Sequence, residues 1–330
     1  MLRRLIAIAF MVLLAGLGWL AWYASSPATP AQLPAEFAIA PGDNLTRTSR
    51  QLEAGGLLRH PAAFVLLGRL LGQAGKIKTG SYMVDKPLSP YQLLNKISQG
   101  ETLLAKVTVI EGWTFAQMRA ALNEHPRLKH DTATLSDAEL LRAIGAPEGH
   151  PEGLFFPDTY YFDAGASDLD LYRRAYHTLA RKLAEAWPGR AASLPYQNPY
   201  QALIMASVVE KETGAPDERP LIAAVFINRL RLGMRLQTDP TVIYGLGASY
   251  DGNLRKVDLL ADTPYNTYTR AGLPPTPIAL PSEAAIQAVL HPDSSRALYF
   301  VAKGGGRHQF SNTLEEHNRA VNRYQRGGKG

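Results

Sequence analysis

The stretch NPYQALIMASVVEKETG, residues 198–214, decides how the rest of the chain is read. Asn198 is a good N-cap, and Pro199 suits the first helical position, where its missing N–H would have had no partner. Gly214 can turn left-handed and stop a helix. Between these ends only Gln201 and Ser207 interrupt an apolar run as far as Val209, so the spacing predicts one helix buried along most of its length. That helix carries Glu210, Lys211 and Glu212 into or beside an interior, where carboxylates are costly unless paired or unless a raised pKa is useful. The plain alternative is that both glutamates are solvated residues of a last turn. Two residues apart on a helix, they point roughly 200° from each other and cannot be the facing pair of a two-carboxylate glycosidase. At most one is catalytic, and the residues themselves do not say which. A second carboxylate would have to come from elsewhere, with Asp239 in the polar loop 233–244 as the candidate.

Outward from this helix, residues 220–232 predict another apolar helix containing Asn228 and Arg229. Residues 233–244, 264–268 and 272–278 follow, rich in amide, hydroxyl and aromatic side chains and poor in Lys and Glu. They read as irregular loops ordered for binding rather than solvated connections. A helix over 284–290, a strand over 298–302, a glycine turn into His308, Gln309 and Phe310, and a last helix from Thr313 complete that side. Upstream, residues 169–187 predict a long amphipathic helix and Ser136 caps a short one ending at Gly145. Between them, EGLFFPDTYY at 152–161 has no clear period. Its aromatics either fill a core or form a platform for sugar rings.

At the N-terminus Arg3 and Arg4 precede an uncharged apolar run over 5–23, just long enough to span a bilayer. Trp19, Trp22 and Tyr23 belong to an aromatic belt, and the arginines place residues 1–4 in the cytoplasm. Pro27, just after Ala24 and Ser26, disfavours signal-peptide cleavage there. Residues 24–35 read as a stiff Pro/Ala linker that lifts the next domain off the membrane. Residues 36–105 predict a small α/β domain, and 106–330 a larger mixed α+β one. A strand–turn–helix unit recurs, with Gly42, Leu45 and Leu52 matching Gly112, Phe115 and Leu122. The class is α+β.

The absence of cysteine removes disulfides, thiolate metal sites and a cysteine nucleophile. A net charge of +6 suits an anionic polymer or membrane surface, but no nucleic-acid-binding motif accompanies it. Neither Gly-x-Ser-x-Gly nor a phosphate loop is present. His308, Glu315 and His317 lack zinc-site spacing, so neither metal nor cofactor is expected. What remains is carboxylate acid/base chemistry, for which a glutamate in an apolar setting is suited.

At these residues the chain resembles the endolytic murein transglycosylase (YceG-like) family. The matches are ASVVEKET at 206–213, FINRL at 226–230, RLQTDPTVIY at 235–244, YNTY at 265–268 and GLPP at 272–275. The resemblance implies a single membrane helix in the bacterial inner membrane, a LysM-like peptidoglycan-binding domain over 36–105, and a periplasmic catalytic domain. It implies that Glu212 is the catalytic acid, supported by Thr213, Asn228, Gln237, Thr238, Asp239, Tyr244, Tyr265, Asn266, Thr267 and Tyr268. The implied reaction cleaves the bond between N-acetylmuramic acid and N-acetylglucosamine without water, leaving a 1,6-anhydro end and terminating nascent strands. Peptidoglycan synthases are the implied partners. Two other readings are a tethered peptidoglycan-binding protein without activity, and a hydrolase of the same bond.

Overall fold

The computed structural model describes residues 2–28, 30 and 32–327. Met1, Thr29, Ala31 and residues 328–330, which fall in the expected cytoplasmic end, linker and tail, lie outside the described residues. The chain forms two units, one of residues 1–106 and 161–166, the other of 107–160 and 167–330.

In the first unit α1 (Leu2–Ser25) is, among the described residues, the one helix long and apolar enough to cross a membrane. Its last turns are not a free stalk. Leu20 and Tyr23, three apart and so on one face, are buried in the same core as Leu45, Phe64 and Leu94. The Tyr23 hydroxyl donates to the Arg59 carbonyl at 2.7 Å. Within the stretch expected as a linker, the Ala28 amide donates to the Leu88 carbonyl at 3.0 Å. Burying a leucine side chain such as Leu20 is worth about 1.5–3 kcal/mol, which holds this end of α1 against the domain core. Strand β1 (Ala35–Ile39) pairs antiparallel with β2 (Gly80–Val84), Ala35 opposite Val84 and Ile39 opposite Gly80. Around them lie α2 (Leu45–Ala54), α3 (Pro61–Leu70) and α4 (Pro90–Gln99), the last begun by a capping box of Ser89 and Gln92.

The chain passes between the units inside β3 (Leu104–Thr108) and again inside β4 (Thr159–Asp163). The aperiodic stretch at 152–161 therefore ends in a strand. Tyr160 and Phe162 are buried while Tyr161 is exposed, a period of two too short to stand out behind Pro157.

In the second unit α5 (Phe115–Asn123) and α6 (Asp137–Ile144) each begin with a capping box. Leu45 and Phe115 both open their helices three residues after a glycine turn, Gly42 and Gly112, at positive φ. Next comes α7 (Asp168–Ala186). At the centre, α8 (Pro199–Glu212) packs against α9 (Arg219–Arg231) and α12 (Glu283–Leu290), and every residue from Ala202 to Val209 is buried. The irregular loop expected over 233–244 contains a helix, α10 (Asp239–Leu246). Pro240 falls in its first turn, where proline is tolerated, and only eight residues are too few to show a period. A short α11 (Lys256–Leu260) lies between α10 and α12. Strands β5 (Tyr299–Gly304) and β6 (Arg307–Ser311) make an antiparallel hairpin, and α13 (Leu314–Tyr324) packs on β5.

Candidate active site

The geometry of the site starts where α8 runs out. Glu212 is its last residue, and Thr213 is already extended (φ −145°, ψ 135°). Burial pushes the Glu212 carboxyl up to about 7; the charge of Asp239 adds to this, while the Thr238 hydroxyl and His308 oppose it. Thr238 Oγ1 donates its hydrogen bond to Glu212 Oε1.

Thr238 is itself held from several sides. Its amide donates to Thr267 Oγ1 at 3.1 Å, Thr267 and Thr241 share a hydroxyl–hydroxyl bond of 2.9 Å, and the Gln237 amide reaches the Thr267 carbonyl at 3.1 Å. Gln237 has φ 53°, left-handed backbone that costs a non-glycine residue about 1–2 kcal/mol. Arg229 holds this strained turn. Its Nη1 donates to the carbonyls of Arg235 (3.2 Å) and Leu236 (2.9 Å) and to Gln237 Oε1 (3.2 Å), and its Nε donates to the Leu298 carbonyl at 2.6 Å. The guanidinium also lies over the Tyr299 ring, 5.0 Å from its centroid. Asn266, fully buried, donates its amide to the carbonyls of Asp258, Leu259 and Ala261 and accepts the Tyr268 amide, so it shapes the loop that brings the Tyr268 hydroxyl to Asp239 at 2.5 Å.

These segments enclose a cavity of about 490 Å³. Of the residues expected from sequence, Glu212, Gln237, Asp239 and Tyr268 line it, with Thr238 and Thr267 directly behind. The others lie elsewhere. Thr213 Oγ1 accepts the Ala215 amide at 2.9 Å, and the Asn228 amide donates to the Ser295 and Ala297 carbonyls. Tyr244 donates to Glu152 Oε2 at 3.0 Å, and Tyr265, edge-on to Tyr244 at 4.8 Å, bonds Thr276. Arg229, Tyr299, His308 and His317 line the cavity without having been expected there. The two histidines carry a signal in the sequence, as residues able to bind a metal or move a proton. Tyr299, an aromatic in a short strand, carried none. Among the described residues no cluster could hold a metal ion. His308 meets Glu218, His317 stacks on Tyr299 at 5.2 Å, and Glu315 pairs with Arg319.

Glu210 faces the other way. It is buried and paired with Arg219 at 3.4 Å, and it accepts the amide and hydroxyl of Ser282 at the start of α12. A second carboxyl, Glu152, is also buried and pushed by burial up to about 7, with the Phe115 amide (2.9 Å) and the Tyr244 hydroxyl as its partners. Beside it Phe155 packs on Phe115 and Tyr172, and Phe156 on Lys182. The aromatics Phe155, Phe156 and Tyr160 are buried and fill the core.

The model of the YceG-like family matches residues 37–323. A Bacillus subtilis protein named endolytic murein transglycosylase is 32% identical over 87% of this chain and 83% of its own length. A protein of the same name from Streptococcus pneumoniae is 28% identical over 86% of this chain, which spans 57% of that longer relative. A crystal structure of a YceG-like protein from Listeria monocytogenes superposes with a TM-score of 0.56 at 28% identity, covering 86% of this chain and 98% of that one.

Proposed function

The chain belongs to the YceG-like family, and we propose that it is a membrane-anchored endolytic transglycosylase of peptidoglycan in which Glu212 is the catalytic acid. One observation carries this reading: a glutamate that burial keeps protonated close to neutral pH stands on the wall of a cavity large enough for sugar rings. A protonated Glu212 can give its proton to the glycosidic oxygen as the muramic C1–O4 bond breaks. The substrate's own C6 hydroxyl then closes on C1, and its proton restores the acid. No water is consumed, so no second carboxylate has to activate one. The Thr238 hydroxyl steadies the ionised form of Glu212 in between.

Asp239 supports a second reading. It shares the cavity wall, and a carboxylate there could activate water in a hydrolase of the same bond. Mass spectrometry of products from uncrosslinked glycan separates the two, because a 1,6-anhydro end is one water lighter than a reducing end. Reducing ends from the wild-type chain would sink the transglycosylase reading.

The surroundings fit a cell-wall enzyme of the bacterial inner membrane. At 1.5 Å per residue α1 spans about 36 Å, enough for a hydrocarbon core of about 30 Å. With Arg3 and Arg4 on the cytoplasmic side, the rest of the chain is periplasmic. A reporter fused at the C-terminus that works only in the cytoplasm would reverse this. The first unit is the candidate LysM-like domain, and weak retention of the full chain by insoluble murein at low salt, lost when Lys76 and Lys78 are changed, is the expected sign of glycan binding there. In this reading the enzyme terminates nascent strands beside peptidoglycan synthases.

A further inference from the structure

Glu218 and His308 form a buried pair that the single-acid scheme leaves unused. Glu218 stands at the start of α9 with its side chain 6% exposed, and His308 lies on β6 with its ring on the wall of the cavity that holds Glu212. His308 Nδ1 is 2.8 Å from Glu218 Oε2, and the His308 backbone amide donates to both carboxylate oxygens at 3.1 and 3.2 Å. A carboxylate accepts and cannot donate, so Nδ1 carries the hydrogen in either charge state, and whenever the ring is neutral its lone pair sits on Nε2. Nε2 is on the far side of the ring from Glu218 and finds no hydrogen-bond partner among the described residues. Phe300, edge-on at 5.3 Å, and Phe310 at 6.4 Å hold the ring in place. The charged and titratable groups around it are the buried Glu218, the half-exposed Arg307 that reaches Glu218, and Glu212, Asp239, Arg229, Tyr268, Tyr299 and His317 around the cavity. A carboxylate that fixes one ring nitrogen and leaves the other open toward a reaction space is the arrangement that makes histidine a directed base.

We propose that His308, oriented by Glu218, is a second proton-transfer group of the reaction: it takes the proton of the muramic C6 hydroxyl while Glu212 protonates the leaving oxygen. This rests on the transglycosylase reading and deepens it. The C1–O4 bond breaks and O4 takes the proton of Glu212. The C1–O6 bond forms and O6 gives its proton to Nε2. The imidazolium then returns that proton to the Glu212 carboxylate through cavity water. Nothing is oxidised, no water is consumed, and the enzyme ends as it began. His308 is the catalytic residue of the pair, and Glu218 is a positioning residue.

The test is kcat, KM and product mass against pH for the full chain in nanodiscs acting on uncrosslinked glycan. His308→Asn keeps an amide donor where Nδ1 stood, so it preserves the bond to Glu218 and removes only the base. It is expected to lose about a hundredfold in kcat with KM within about twofold. The fall in rate on the acid side of the wild-type profile disappears with it. Glu218→Gln keeps the ring and loosens its tautomer, so it shows the same change in the acid limb with a smaller loss. A folded His308→Asn with wild-type kcat and profile, or one that raises KM alone, overturns the proposal. If that variant does not melt like wild type, Glu218→Gln decides, and an unchanged acid limb there overturns it equally. Reducing ends from wild type would sink the transglycosylase reading and with it a base for the C6 hydroxyl, a result told apart by appearing before any substitution is made.

Discussion

Two carboxyls of the second unit, one at the exit of α8 and one beneath the start of α5, are both pushed by desolvation up to about 7. Around Glu152 the space is filled. An amide and a tyrosine hydroxyl take its oxygens, and aromatic rings pack beside it. Around Glu212 one hydroxyl takes one oxygen, and a cavity of about 490 Å³ opens beyond. The same desolvation therefore serves two ends. At Glu152 it is a cost carried by a link that ties α10, through Tyr244, to the core. At Glu212 it is a protonated acid within reach of a substrate. A raised pKa alone does not mark the catalytic group; access does.

The sharpest way to break this comparison is to remove each proton in turn. Glu212→Gln should lose nearly all anhydromuropeptide yield, at least 10²–10⁴-fold, because glutamine neither donates nor accepts the transferred proton. Glu152→Gln should keep most of the activity. If the two results were exchanged, the cavity would have been assigned to the wrong carboxyl. In the wild type, kcat/KM should fall about tenfold per pH unit on the alkaline side of about 7, as Glu212 loses the proton it must give.

Stability should treat the two glutamates alike. Each has a folded-state pKa above the ordinary 4.5, so the neutral form is favoured in the folded chain. The stability this preserves is fully present below pH 4.5 and is lost as pH rises through about 7. The gap is worth about 3 kcal/mol per group at 1.36 kcal/mol per pH unit. Glu152→Gln and Glu212→Gln should each stabilise the chain at pH 8 by up to that amount and leave it little changed at pH 4. Denaturant melts at the two pH values check this, and a loss of stability at pH 8 would contradict it.

Glu210→Gln sets the other face of α8 against its catalytic end. Removing the charge opposite a largely buried Arg219 should cost about 1–3 kcal/mol of stability, while kcat per folded enzyme stays within about threefold of wild type. Thr213→Ala is expected to have the smallest effect on stability. Its hydroxyl accepts the Ala215 amide, so its loss should cost about 0.5–1.5 kcal/mol, with activity reduced less than tenfold through the position of Glu212. A larger drop in kcat with unchanged melting would move Thr213 into the chemistry.

What the sequence determined by itself is local. Caps, glycine stops and apolar spacing placed most of the helices to within a residue or two, α8 among them although it ends at an extended Thr213 and not at a left-handed Gly214, because these signals act through neighbours on the chain. The 200° divergence of Glu210 and Glu212 followed from helix geometry and holds in the fold, where one meets Arg219 and the other Thr238. Which glutamate faces a cavity was not legible, since that depends on α12 covering one side and the 235–239 turn leaving the other open. The loops around 237 and 266 were legible as ordered, but not their division of labour. Asn228, Tyr244 and Tyr265 turn to backbone and core, while Gln237, Asp239 and Tyr268 turn to the cavity. Short elements hid for want of period, as α10 and β4 did. Arg229 and His308 joined the site only because the β5–β6 hairpin folds back, β5 against α9, bringing residue 308 to Glu218 across 90 positions of chain. No propensity or motif spacing encodes such a meeting; it is fixed by which faces the packed core leaves exposed.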